Sequence, residues 1–75
     1  MRNITQDGKT LIFINFIEFK DGEYKNQTRN YSGNEEGAKA FLENELPYRN
    51  IIENSISVKT IKNYKIVEGK ENGIL

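Results

Sequence analysis

The chain has 75 residues, eleven Lys plus Arg against eleven Asp plus Glu, and neither Cys nor His. A chain this short builds one small core with net stability on the order of 5 kcal/mol, and it has no disulfide or ordinary zinc site to reinforce it. Balanced charge removes any global field toward nucleic acid or an anionic membrane, and the missing imidazole and thiol remove serine-triad, thiol and zinc catalysis together.

The N-terminal residues Met1 to Asp7 lack the apolar core of a signal peptide. The longest apolar run, Leu11 to Phe19, is too short to span a bilayer and is broken by Asn15 and Glu18. The expected location is therefore cytoplasmic. One domain over residues 1–75 is expected, with a polar turn at Gln6 to Lys9 and a loose tail from about residue 69.

Leu11 to Phe19 is dense in β-branched and aromatic residues and reads as a strand. Asp21-Gly22 follows, and a two-residue Asp-Gly loop favours a type I′ hairpin because both central residues need positive φ. The second strand is then Glu23 to Tyr31. This turn fixes the register: Lys20 opposite Glu23, Phe19 opposite Tyr24, Glu18 opposite Lys25, Ile17 opposite Asn26 and Phe16 opposite Gln27. The charged pairs then share one face and the aromatic pair lies on the other, as cross-strand pairing prefers.

A helix is expected to start at Ser32 or Asn34 as cap, with Glu35 and Glu36 against its positive end and Ala38, Phe41, Leu42 and Leu46 as its core stripe. Pro47 suits the first turn of a new helix, so Pro47 to Asn54 reads as a short second helix with Tyr48, Ile51 and Ile52 inward, or as a kinked continuation of the first. From Ser55 to Glu68 the period returns to two, giving one long strand or a hairpin turning at Lys62-Asn63. The fold class is α+β: a small antiparallel sheet of three or four strands with one helical layer, in the order ββα(α)β(β).

The carboxylates are scattered over polar faces, Asp21-Gly22-Glu23 lacks the spaced oxygen ligands of a calcium loop, and no glycine run cradles a phosphate. The chain is accordingly read as no enzyme, with no cofactor, no metal and no evident small-molecule substrate. What stands out is a first strand that is apolar on both faces. The expectation is that Leu11, Phe13, Ile17 and Phe19 pack under the helix. Ile12, Ile14 and Phe16, across from Tyr31, Arg29 and Gln27, then face away as an apolar stripe rimmed by polar groups, the mark of an interface. Cover of that stripe by the C-terminal segment, with Ile74 and Leu75, or a bulge near Asn15, is the competing reading.

A protein interface at Ile12, Ile14, Phe16, Gln27, Arg29 and Tyr31 is therefore expected, serving a protein partner or self-association as a homodimer. Asn, Ile and Lys make up over a third of the chain, a bias associated with AT-rich bacterial genomes and their mobile elements. It points to a phage or mobile-element accessory protein that inhibits a bacterial defence or host factor. The alternative is a nucleic-acid-binding surface of Lys25, Arg29 and Tyr31, extended by Lys59, Lys62 and Lys65. The run from Phe19-Lys20-Asp21-Gly22 through Gly33 to Ala38-Lys39-Ala40-Phe41, about half of the chain, resembles the arm-binding domains of tyrosine integrases. That resemblance implies a three-stranded sheet, one helix and DNA as partner. The strands here carry fewer Lys and Arg than those domains place on DNA, and residues after Pro47 have no counterpart in them.

Overall fold

The hairpin forms as the Asp-Gly turn dictates. In the computed structural model, which describes residues 2–68, strand β2 (Leu11–Lys20) turns into β3 (Glu23–Asn30) through Asp21 at φ 53° and Gly22 at φ 81°, the two positive angles of a type I′ turn. Its register is the expected one from Lys20 opposite Glu23 to Phe13 opposite Asn30. Strand β4 (Ser57–Ile61) pairs with the other edge of β2, from Leu11 opposite Ile61 to Asn15 opposite Ser57, so the sheet order is β3-β2-β4 and all neighbours are antiparallel. The chain is thus α+β.

Between β3 and β4 lies the helical layer. Asn34 is the cap: its side-chain oxygen accepts from the Gly37 N–H at 2.9 Å, while Glu35 and Glu36 occupy the first turn. Ser32 is used elsewhere, its hydroxyl accepting from the Ile12 N–H at 3.1 Å. Helix α1 (Glu35–Ala40) widens into a π-helical turn (Phe41–Glu45) and tightens into a 3₁₀ turn (Leu46–Tyr48) at Pro47.

The expected second helix over Pro47 to Asn54 does not form. β4 stops opposite Asn15, which leaves the outer edge of β2 at Ile17 and Phe19 without partners, and buried backbone groups must be paired. The chain after Arg49 supplies them in extended form: the Phe19 N–H donates to the Asn50 carbonyl at 2.9 Å, and the Ile52 N–H to the Ile17 carbonyl at 3.0 Å. The Ser55 hydroxyl accepts from the Ile17 N–H at 2.9 Å. Of the three residues expected to face inward, only Ile51 packs on the core; Tyr48 and Ile52 are exposed.

The helical layer lies over Ile12, Ile14 and Phe16, the reverse of the expected face. These three are at most 5 % exposed and form the core with Ala38, Phe41 and Leu46, flanked by Tyr31, Leu42 and Ile51. The Phe41 ring centroid sits 5.8 Å from Phe16 and 5.7 Å from Tyr31. Chain topology explains the choice. Even-numbered residues of β2 bond to β3, as in the 2.8 Å bond from the Tyr31 N–H to the Ile12 carbonyl, and odd-numbered residues bond to the other edge. β3 and β4 both oppose β2 and so run parallel to each other. A connection between parallel strands of one sheet is right-handed in nearly all cases. With L-residues and these bonding directions, a right-handed crossing from β3 to β4 passes over the even face.

The last strand continues beyond the body. β5 (Tyr64–Glu68) pairs with β1 (Arg2–Gln6), a strand that the polar N-terminal sequence did not announce, in a separate antiparallel ribbon from Arg2 opposite Glu68 to Gln6 opposite Tyr64. The period-two run therefore breaks at Lys62-Asn63 without turning back as a hairpin. The Asp7 N–H donates to the Asn63 carbonyl at 2.7 Å at the junction. The molecule measures 67 × 19 × 16 Å with a radius of gyration of 18.9 Å, against about 11 Å for a compact chain of this length. The expected tail from residue 69, with Ile74 and Leu75, lies outside the described residues.

Candidate protein-docking face

Because the helix takes the even face of β2, none of the described elements packs on the odd face. Leu11, Phe13, Asn15 and Ile17 are half-buried between the flanking strands, and Phe19 is exposed. Strand register places Asn26, Thr28 and Asn30 of β3 on one side of this stripe, with Ser57, Lys59 and Ile61 of β4 on the other. Phe13 is thus bordered by Asn30 and Lys59 and Ile17 by Asn26, while Leu11 stands beside Ile61.

Two details define the stripe further. At its middle the Asn15 side-chain oxygen accepts from the Thr28 hydroxyl at 2.7 Å, a pair that tolerates water and gives the surface a polar reference point. At its end Phe19 and Tyr24 meet edge to face with centroids 4.9 Å apart. Beside them, Asn50 and Ile52 help enclose a shallow hollow of about 250 Å³. An apolar strip with a polar rim and exposed aromatics at one end has the composition of a recognition surface.

The residues expected to form an interface are distributed differently. Ile12, Ile14 and Phe16 are core and present nothing to a partner. Arg29 and Tyr31 wrap the same buried face from β3: the Arg29 guanidinium lies 6.0 Å from the Phe16 ring centre and 5.8 Å from that of Phe41, and Tyr31 packs on Phe41. Gln27, opposite Phe16, is half-buried beside them. A homodimer in which Ile12, Ile14 and Phe16 pack against their symmetry mates is therefore ruled out by their burial.

The cationic residues do not converge either. Lys25, Arg29 and Tyr31 share the helix side of β3, with Lys25 3.7 Å from Asp21, whereas Lys59 projects from the opposite face of the sheet beside Phe13. Lys62 sits at the junction and Lys65 on the ribbon opposite Thr5.

One polar constellation lies under the sheet. Glu18, on the even face, is 6 % exposed and is held by a bidentate pair: Arg49 Nε donates to Oε2 at 2.8 Å and Nη2 to Oε1 at 2.9 Å. The guanidinium also stacks 5.5 Å from the Phe16 ring centre. These hydrogen bonds hold the Glu18 carboxyl below its ordinary value, against the upward push of burial, and Arg49 is raised by the same contact. The arrangement is a closed ion pair that locks the segment after Pro47 onto β2. With both carboxylate oxygens occupied, it offers no free general base. A hollow of about 420 Å³ between Leu42, Leu46, Ile51 and Ile56 opens beside it. Among the described residues no group of three or more acidic side chains could hold a metal ion, and no helix is long and apolar enough to cross a membrane.

Sequence reasoning assigned Leu11, Phe13, Ile17 and Phe19 to the core. The signal that corrects it is Asn15: an amide in the middle of a face would be stranded without water if that face were covered. Fold and surface together define a small α+β protein with, among the described residues, one covered and one open sheet face. Compared with known protein families, curated proteins and solved structures, the chain matches none.

Proposed function

We propose that this protein is a small non-enzymatic protein-binding module that docks a partner on the odd face of β2. The observation that carries the reading is the stripe Leu11, Phe13, Ile17 and Phe19 at the centre of a three-stranded sheet, covered by none of the described elements and bordered by Asn26, Thr28, Asn30, Ser57, Lys59 and Ile61. A stripe of this kind costs solubility if nothing uses it. The division of Lys25 and Arg29 from Lys59 across two faces supports nucleic acid less well, since phosphate neutralisation draws on cations gathered along one surface. Composition supplies the narrower version, an accessory protein of a phage or mobile element that inhibits a bacterial defence or host factor.

The test is capture from a bacterial host extract with the intact chain and two variants. Phe13→Lys on the stripe is expected to lose the captured protein. Tyr48→Lys, at a side chain 85 % exposed in the 3₁₀ turn of the helical layer, is expected to retain it. Equal capture by both variants would remove the odd face as the docking surface. Salt-sensitive binding to short DNA, lost in a Lys25→Ala, Arg29→Ala double variant but kept in Phe13→Lys, would replace the reading with the nucleic-acid one.

A further inference from the structure

The β1–β5 ribbon is amphipathic, and nothing in the body covers its apolar side. Register and alternation put Arg2, Ile4, Gln6, Tyr64, Ile66 and Glu68 on one face, with Asn3, Thr5, Lys65 and Val67 on the other. Ile4, Tyr64 and Ile66 are 71 %, 58 % and 55 % exposed. Two strands on their own are marginal in water; they persist when a third strand or a packed layer joins them.

The ribbon is complementary to itself. Ile4 opposite Ile66 is its middle pair, with Arg2–Glu68 at one end and Gln6–Tyr64 at the other. A twofold axis lying above that middle pair, parallel to the ribbon and perpendicular to its strands, lays a second ribbon face to face at the roughly 10 Å spacing of packed sheets. The isoleucines then meet their own copies. Each Arg2–Glu68 ion pair, 3.3 Å long, comes over the Gln6–Tyr64 pair of the other chain, where a phenol can donate to the carboxylate and an amide oxygen can accept from the guanidinium. No like charges meet. The two bodies leave in opposite directions, and a net charge of zero adds no long-range repulsion.

We propose that a second copy of this chain covers the ribbon, giving a twofold dimer with Ile4, Tyr64 and Ile66 of both chains at its centre. Three apolar residues per chain bury well under the roughly 800 Å² per partner of a standard interface, so the dimer is weak and concentration-dependent. It goes beyond the docking function because it uses a different surface and leaves both odd faces free. The product is a bivalent binder, whose hold on a partner with two sites gains up to about 10²–10⁴-fold by avidity.

Sedimentation velocity over about 1 µM to about 1 mM tests this, the range in which a weak interface fills. The mass is expected to rise from 8.7 kDa toward twice that value. Ile4→Lys or Ile66→Lys puts like charges at the axis and is expected to weaken association about tenfold or more, while Phe13→Lys leaves the curve unchanged. The absence of native cysteine allows a second reading with nitroxide labels. Labels at Thr5→Cys, on the outer ribbon face, are expected to show dipolar coupling between copies, and labels at Glu23→Cys, at the far end of the body, none. A single-chain mass throughout overturns the proposal, as does a dimer that survives both lysine variants or is abolished by Phe13→Lys.

Discussion

The body and the ribbon are built from the same antiparallel pairing, yet they hold together for different reasons. In the body, β2 is flanked along its whole length, first by β3 and β4 and then by residues 50–55, and its even face is sealed by Phe41, Leu46 and Ala38. In the ribbon every described residue is exposed, and among the described residues the strands are joined by five residue pairs, a terminal ion pair and the Asp7–Asn63 bond at the junction. Hydrogen bonds in a ladder contribute little net free energy because water offers the same bonds; burial of an apolar face makes a sheet cooperative. The body should therefore unfold as one unit and the ribbon should open locally beneath it.

The largest effect belongs to the core. Phe41→Ala removes a ring that touches both Phe16 and Tyr31. It is expected to lower stability by about 3–5 kcal/mol, enough to leave a domain of this size largely unfolded in a urea titration. Amide exchange should rank the two regions in the unmodified protein: slow for β2 residues such as Ile14 and Phe16, and fast across Arg2–Gln6 and Tyr64–Glu68. Equal protection in both regions at low concentration would end the distinction.

The Glu18–Arg49 pair comes next. Its carboxyl is held below the ordinary value of 4.5 chiefly by hydrogen bonds from Arg49. A depressed folded value means the contribution is complete above the unfolded value and is lost as pH falls through the folded one. Arg49→Leu removes the largest cause of the depression and leaves the upward push of burial set against the weaker pull of Lys20 and Arg29, so most of this pH-dependent contribution is lost. The stability gap between wild type and Arg49→Leu is therefore expected to be widest near pH 7 and to close on acidification below about pH 4.5, read from urea midpoints at each pH. A gap independent of pH would show that Arg49 acts through packing on Phe16 alone.

What the residues revealed, and what they hid, divides along the same line. The hairpin register was legible because Asp21-Gly22 admits few geometries and each strand position follows from it. The face of β2 that becomes core is disguised near the turn, where the odd face carries the aromatic Phe19–Tyr24 pair and the covered even face carries the charged Glu18, buried under Arg49. Two stronger signals lay further along: Asn15 at the centre of the odd face, and a handed crossover that a two-residue hairpin plus a third strand on the far edge already determines. The interface expectation kept its logic, an apolar stripe on a strand with two apolar faces, and exchanged its residues. β1 could not be read at all. Arg2 to Gln6 alternates weakly, and its partner lies some sixty positions away in the chain. The extended path of residues 50–55 was hidden for a related reason, since it answers unpaired groups on β2 and not its own propensity.

The smallest predicted effect isolates the contrast between the regions. Val58 on β4 and Val67 on the ribbon are valines of similar exposure, 48 % and 39 %. Replacing either by threonine keeps the shape and adds a hydroxyl. On exposure alone Val67, the better covered, should lose more. Val58 stands opposite Ile14, however, inside the unit whose unfolding is measured, whereas Val67 stands opposite Asn3 in a segment that opens first. Val58→Thr is accordingly expected to lower global stability by about 0.5 kcal/mol, and Val67→Thr to leave it unchanged while speeding exchange only of ribbon amides. The reverse order would mean that the ribbon belongs to the cooperative unit, and that its apolar face is already covered under the conditions of measurement.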